Sequence, residues 1–217
     1  MDFEKQSTEG KKPELAPILS MRRKLKELLK PERYEHSLSV SFCSIALAMR
    51  YGFDIEKAEI AGLCHDCAKH FGKEELLREC RRAGISLSPE LRENPQVLHS
   101  IYGPCYAREL FGITDEEILS AIRSHTLGRP EMGLLEKIVF TADYIEARRW
   151  RAARLPELRR LAFVDLNRAV YEILRDTVEY IRESGAEPCT DSLASYHYYR
   201  ALLEGTAAEE GEKDERF

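Results

Sequence analysis

Valine and threonine are scarce in this chain of 217 residues: six and seven of them stand against 26 leucines. No stretch alternates polar and apolar residues into a hairpin turn, which argues against a sheet-based fold. A basic excess is also missing. The 33 lysines and arginines are outnumbered by 38 acids, for a net charge of -5, whereas a general nucleic-acid binder shows a surplus of positive charge. A small anionic substrate stays compatible, because a local cluster of bases can sit inside an acidic protein. Long hydrophobic runs are absent: the mildest stretch, Leu38 to Met49, covers 12 residues with three serines, too short to span a membrane. Met1 to Lys12 is polar and has no apolar core, so no signal peptide is expected. Six cysteines are no disulfide scaffold in a chain of this size, and reduced thiols in the cytoplasm are the expectation.

What the chain does have is Leu, Ala, Glu and Arg in helical proportions, with 43% hydrophobic and 33% charged residues, enough for one core. The fold class read from this is all-α. A polar lead-in covers 1–16, one helical domain 17–204, and an acidic tail expected to be disordered 205–217. Helices are expected from Ile18 to Lys30, Arg33 to Tyr51, Ile55 to about His70, Lys73 to Ala83, and Asn94-Pro95 toward Leu110 with a kink or split at Gly103-Pro104. A capping box starting at Thr114 opens another to His125. Further helices run from Leu134 to Arg151, Pro156 to Ser184, and Asp191 to Glu204, the last ended by Gly205. In the second helix Leu38, Phe42, Ile45 and Met49 form one apolar stripe.

The chemistry lies in the histidines and aspartates. His65-Asp66 is an adjacent pair in a largely apolar segment, where a carboxylate is costly unless it is charge-paired or bound to metal. Asp143 follows Val139-Phe140-Thr141-Ala142, another apolar context. His36, His99 and His125 lie on or at the ends of other helices, and helical bundles build metal sites from inward side chains of this kind. A nitrogen-rich, oxygen-containing set suits iron, manganese, zinc or nickel better than magnesium or calcium. Lys69, Arg33 and Arg129 stand three or four residues from these histidines and are candidate phosphate contacts, Arg through its planar fork; a surface ion pair is the plainer reading of each. Glu146, three residues after Asp143, either orients a ligand or pairs with Arg149. Cys64 and Cys67 form a C-x-x-C without a second pair and read as ordinary thiols. Tyr196-His197-Tyr198-Tyr199 reads as helix packing, His70 as structural.

The order His36, His65-Asp66, His99, His125, Asp143 resembles the HD superfamily of metal-dependent phosphohydrolases. Local phrases sharpen it: Arg33-Tyr34-Glu35-His36, His65-Asp66-Cys67-Ala68-Lys69, Asn94-Pro95 leading to His99, His125-Thr126-Leu127-Gly128-Arg129-Pro130, Leu134-Leu135-Glu136-Lys137 and Ala142-Asp143-Tyr144-Ile145-Glu146. Together they resemble the bacterial YqeK-type HD proteins, symmetrical dinucleoside tetraphosphatases, over about residues 20–205. The resemblance implies an HD-domain helical bundle with a dinuclear metal site between the helices. It implies two iron ions, with manganese or another divalent transition metal as the alternative, and cleavage of diadenosine tetraphosphate into two ADP. Carried over, His36, His65, Asp66 and Asp143 hold one ion, and Asp66 bridges to a second held by His99 and His125. Asp66 and Lys69 are the expected catalytic residues, and Arg33, Lys69, Arg129, Glu146 and Arg149 the expected substrate contacts. Where relatives read Pro-Asn-Arg after the glutamate, this chain has Ala147-Arg148-Arg149. The expected partner is a nucleotide, with no nucleic acid or membrane, and a homodimer stays open. Two alternatives stand beside this reading: another HD-type nucleotide phosphohydrolase, and a non-catalytic nucleotide-sensing module.

Overall fold

The computed structural model describes residues 15–152 and 154–214. The lead-in expected over 1–16 lies almost wholly outside them, as do the last three residues of the tail. The described residues form helices and turns only: α1 (Leu15–Leu28), α2 (Pro31–Tyr51), α3 (Ile55–Cys64), α4 (Lys73–Arg82), α5 (Pro89–Glu93), α6 (Leu98–Phe111), α7 (Glu116–Ser124), α8 (Leu134–Ile145), α9 (Leu155–Ala162), α10 (Leu166–Glu183) and α11 (Thr190–Asp214), with a 3-10 turn over Pro95–Val97 before α6. None is long and apolar enough to cross a membrane.

Capping explains most boundaries. Asp54 accepts from the Lys57 amide to start α3, and Asp165 from the Arg168 amide to start α10. That second cap splits what the sequence reads as one long helix from Pro156. Asp115, rather than Thr114, caps α7 by accepting from the Glu117 and Ile118 amides. α6 runs through Pro104 without dividing, its buried face including Leu98, Ile101, Tyr102 and Ala107 offsetting the cost of an interior proline, about 3 kcal/mol for the lost backbone bond and the ring clash together. α11 continues past Gly205, where strong helix formers follow.

The largest departure concerns α2. Its expected stripe is not its core face: Phe42 and Met49 are 55% and 61% exposed. The buried face is Ser37, Val40, Ser41, Ser44, Leu47 and Ala48. The cause is the close approach of α3 at Gly62, where an added Cβ would lie 2.7 Å from Ser44 Oγ and 2.9 Å from Ser41 Cα. Only small residues fit such a crossing. α2, α3, α7 and α8 pack together and α10 closes over α8, around a core containing Leu47, Leu63, Ile122, Ile138 and Ile173. A second cluster, including Leu76, Cys80, Leu98 and Tyr102, ties α4 to α6.

Candidate metal centre

α3 stops at Cys64, so His65 and Asp66 lie at its end rather than within a helix. The chain continues in tight i→i+3 turns, Cys67 N–H to Cys64 O at 3.0 Å and Lys69 N–H to Asp66 O at 2.9 Å. A local bond accompanies the change: His65 Nδ1 donates to Gly62 O at 2.7 Å, the carbonyl an α-helix would reserve for the Asp66 amide. His125, the C-cap of α7, repeats this with Ile122 O at 2.7 Å, and His99 at the start of α6 with Gln96 O at 2.8 Å. Glu146 Oε1 lies 3.4 Å from His36 Nδ1. A carbonyl accepts only from a protonated Nδ1, so Nε2 of His65, His99 and His125 is left as a lone pair. His36 instead has a carboxylate at each ring nitrogen and its pKa is raised, burial being outweighed by the Asp143 hydrogen bond and nearby carboxylate charge.

The Nε2 atoms converge. His36 Nε2 is 3.0 Å and His65 Nε2 3.8 Å from Asp143 Oδ1, and His65 Nε2 is 3.7 Å from Asp66 Oδ2. On the other side, His99 Nε2 and His125 Nε2 lie 3.2 and 3.5 Å from Asp66 Oδ1 and 3.1 Å from each other. His65 Nε2 is buried with no hydrogen-bond partner. Acceptors facing acceptors repel unless a cation lies between them. Two ligands bonded at about 2.0–2.2 Å to one ion stand near 3 Å apart, so the spacing fits. Two overlapping sets, His36-His65-Asp143 and His65-Asp66-His125, each gather ligand atoms within 4.8 Å. The residues present therefore fit two divalent cations of the imidazole-binding type, with Asp66 between them.

The electrostatics agree. Burial pushes His65 down to about 4, keeping it neutral. Burial works against the charge of Asp66, but positive charge at the positions of the His65, His125 and His99 ring nitrogens, together with the Lys69 ammonium, outweighs it and holds the carboxyl well below its usual range; with the rings neutral, a cation at the same place would supply that charge. Asp143 is likewise depressed despite burial, chiefly by the His36 hydrogen bond. Three basic side chains surround the carboxylates. Arg33 Nη1 is 3.0 Å from Asp66 Oδ2, Lys69 Nζ 4.0 Å from Asp66 Oδ1, and Arg149 Nη2 3.1 Å from Asp143 Oδ1. Burial lowers the Lys69 pKa.

Two of the expected substrate contacts are placed elsewhere. Arg129 does not join the basic group: its guanidinium makes a two-point pair with Glu136, Nε–Oε1 at 2.8 Å. Glu146 is 3% exposed and sits behind His36, with its other oxygen accepting from the Arg148 amide at 2.6 Å. Tyr199 is core, its hydroxyl accepting from the Met132 amide, and Cys64 and Cys67 are buried free thiols. One residue was missed. Thr126 Oγ1 lies 3.0 Å from His125 Nε2 and 3.2 Å from His99 Nε2. Its adjacency to His125 was visible, but nothing in the spacing of residues said that its side chain turns inward.

The class follows from the comparison of families: the HD domain model matches residues 33–148, which contain every member of the cluster, and the chain belongs to the HD domain family. Its relatives narrow this. It is 41% identical over 187 residues to the symmetrical bis(5'-nucleosyl)-tetraphosphatase of Halalkalibacterium halodurans, covering 84% of this chain and 98% of that protein. It is 37% identical over 174 residues to the protein of the same name from Bacillus subtilis, covering 80% and 92%. Within the HD proteins the chain belongs with these symmetrical tetraphosphatases. A solved structure of a predicted HD superfamily hydrolase involved in NAD metabolism from Clostridium acetobutylicum superposes with a TM-score of 0.83 at 37% identity, covering 85% of this chain and 97% of that one.

Proposed function

We propose that this protein is a metal-dependent hydrolase that cleaves diadenosine tetraphosphate symmetrically into two ADP, water adding across the central phosphoanhydride. The observation that carries the reading is the convergence of six side chains, His36, His65, Asp66, His99, His125 and Asp143, with His65 Nε2 buried and without a hydrogen-bond partner. The names of the relatives matched over most of their length supply the substrate. His36, His65, Asp66 and Asp143 would hold one cation, and Asp66, His99 and His125 a second. Such a pair supplies a water acidified toward neutral pH and neutralises phosphate oxygens.

The chain's own residues do the rest. Gly62, Gln96 and Ile122 carbonyls and Glu146 lock the ring tautomers, which raises ligand basicity and fixes orientation. Arg33, Lys69 and Arg149 hold the polyphosphate, their charge set against a substrate that otherwise repels the carboxylates. Lys69, beside both Asp66 and His99, is placed to offset charge on the departing ADP. Iron is the proposed metal, with manganese or another divalent transition metal as the alternative; the nitrogen-rich donor set supports this group. The six free cysteines suit a reducing, cytoplasmic setting.

The test is incubation of metal-loaded protein with diadenosine tetraphosphate, with products separated by chromatography. ADP alone is expected. AMP together with ATP would mean attack on an outer anhydride and a different enzyme, and no turnover with both ions bound would point to a nucleotide-sensing module.

A further inference from the structure

Thr126 follows His125 in the turn after α7 and is half-buried. Its hydroxyl contacts the Nε2 atoms of both His125 and His99. Each of these rings has its Nδ1–H on a backbone carbonyl, so both Nε2 atoms are acceptors; Lys69 Nζ lies 3.1 Å from that of His99, which leaves the Thr126 proton to His125. The carbonyl four residues back, which a helical threonine would use, is Ile122 O, already accepting from His125. A cation that takes both ring nitrogens removes both acceptors from the hydroxyl. The same residue lines a pocket of about 380 Å³, together with His125, Asp143, Tyr144, Arg149 and Tyr180. The hydroxyl thus stands on the wall between the cluster and a pocket with aromatic and basic lining, suited to a nucleoside and its phosphates.

We infer that the Thr126 hydroxyl donates a hydrogen bond to a phosphate oxygen of the nucleoside diphosphate half that occupies this pocket. The inference rests on reading the cluster as a metal centre. Its role is to hold that phosphate against the centre during cleavage, and to grip ADP when it is a product.

Manganese-loaded wild type, Thr126→Val and Thr126→Ser test it, with ADP binding measured by titration calorimetry, turnover of diadenosine tetraphosphate by chromatography, and bound metal by elemental analysis. Valine keeps the shape and loses the donor. It should weaken ADP binding and lower kcat/KM each by roughly tenfold to a hundredfold, the range of one hydrogen bond to a charged group. Metal content and Tm should stay unchanged, and serine should remain within about threefold of wild type on the same scale. Wild-type ADP affinity in the valine protein would overturn the inference. So would a serine protein as weak as the valine one, or metal loss that tracks activity, which would place the hydroxyl in the metal shell instead. If wild type binds ADP but does not cleave the tetraphosphate, the tetraphosphatase reading fails, while the calorimetry still decides Thr126.

Discussion

Asp66 and Glu136 are both buried carboxylates of the same helical core, 2% and 3% exposed, and they are treated in opposite ways. Glu136 is surrounded by donors: Ser120 and Ser124 hydroxyls at 2.8 and 2.7 Å, the Gly133 amide at 2.6 Å, and two guanidinium nitrogens of Arg129. Asp66 faces three imidazole lone pairs, with Arg33 and Lys69 at its edge. One region has every acceptor matched to a donor and serves the fold. The other sets carboxylate oxygens against ring nitrogens at 3.2–3.7 Å, with His65 Nε2 left without a donor, an arrangement that suits cations rather than stability.

The sharpest way to break this contrast is Asp66→Asn. Removing the bridging charge should take turnover to background and metal content with it, read by chromatography and elemental analysis. The metal-free protein should keep its Tm or gain slightly, because the new amide replaces a carboxylate that faces ring nitrogens with a neutral group able to donate to them. A large loss of Tm in the metal-free variant would mean that Asp66 is structural, like Glu136.

Glu146→Gln asks whether the ring-orienting layer belongs to the same centre. The carboxylate beside His36 Nδ1 should act through that ring, so the variant is expected to lose roughly 10–100-fold in metal affinity or activity. KM measured at saturating metal should change little. A KM effect alone would return Glu146 to the substrate contacts expected from the sequence.

Much of this was readable before any fold was known, because an aspartate in an apolar run announces itself by its cost and histidines in order on several helices point to one centre. The all-helical class followed from composition, and Asp54 and Gly52 marked real ends. The errors have a common root: periodicity describes one helix, while burial is decided by its neighbour. Phe42 and Met49 fit an apolar stripe, but Gly62 brings α3 against the serine face instead. His65-Asp66 looked helical because nothing in the residue order shows a side chain taking the Gly62 carbonyl. Thr126 and Arg129 both sit beside His125 in sequence, and only the turn after α7 decides that one faces the cluster and the other Glu136.

Glu136→Gln tests the satisfied half. Losing the charged acceptor of the Arg129 pair should cost about 1.5–3 kcal/mol of stability and leave kcat and KM unchanged below the unfolding range. Burial alone would raise the Glu136 pKa, but hydrogen bonds from Arg129, Ser124, Gly133 and Ser120 outweigh it and hold it below the ordinary 4.5. A group depressed in the folded state stabilises fully above its unfolded pKa and loses that contribution as the pH falls through its folded value. The gap in denaturant midpoint between wild type and variant should therefore be full at neutral pH and close under acid. A gap independent of pH would remove charge from the explanation.

Arg129→Ala is the smallest expected effect and decides between two roles for one residue. As a phosphate clamp its loss would raise KM, as expected for Arg149→Ala. As the partner of Glu136 its loss leaves KM alone and lowers stability by about 1 kcal/mol, since the arginine side chain is 48% exposed and the exposed part is screened. Ser120, Ser124 and the Gly133 amide still satisfy the carboxylate, which is why the loss should be smaller than for Glu136→Gln. Thermal unfolding and steady-state kinetics on the same preparation separate the two: a KM raised tenfold with Tm unchanged would restore Arg129 to the substrate, and a lowered Tm with KM unchanged keeps it in the scaffold that holds α7 against α8.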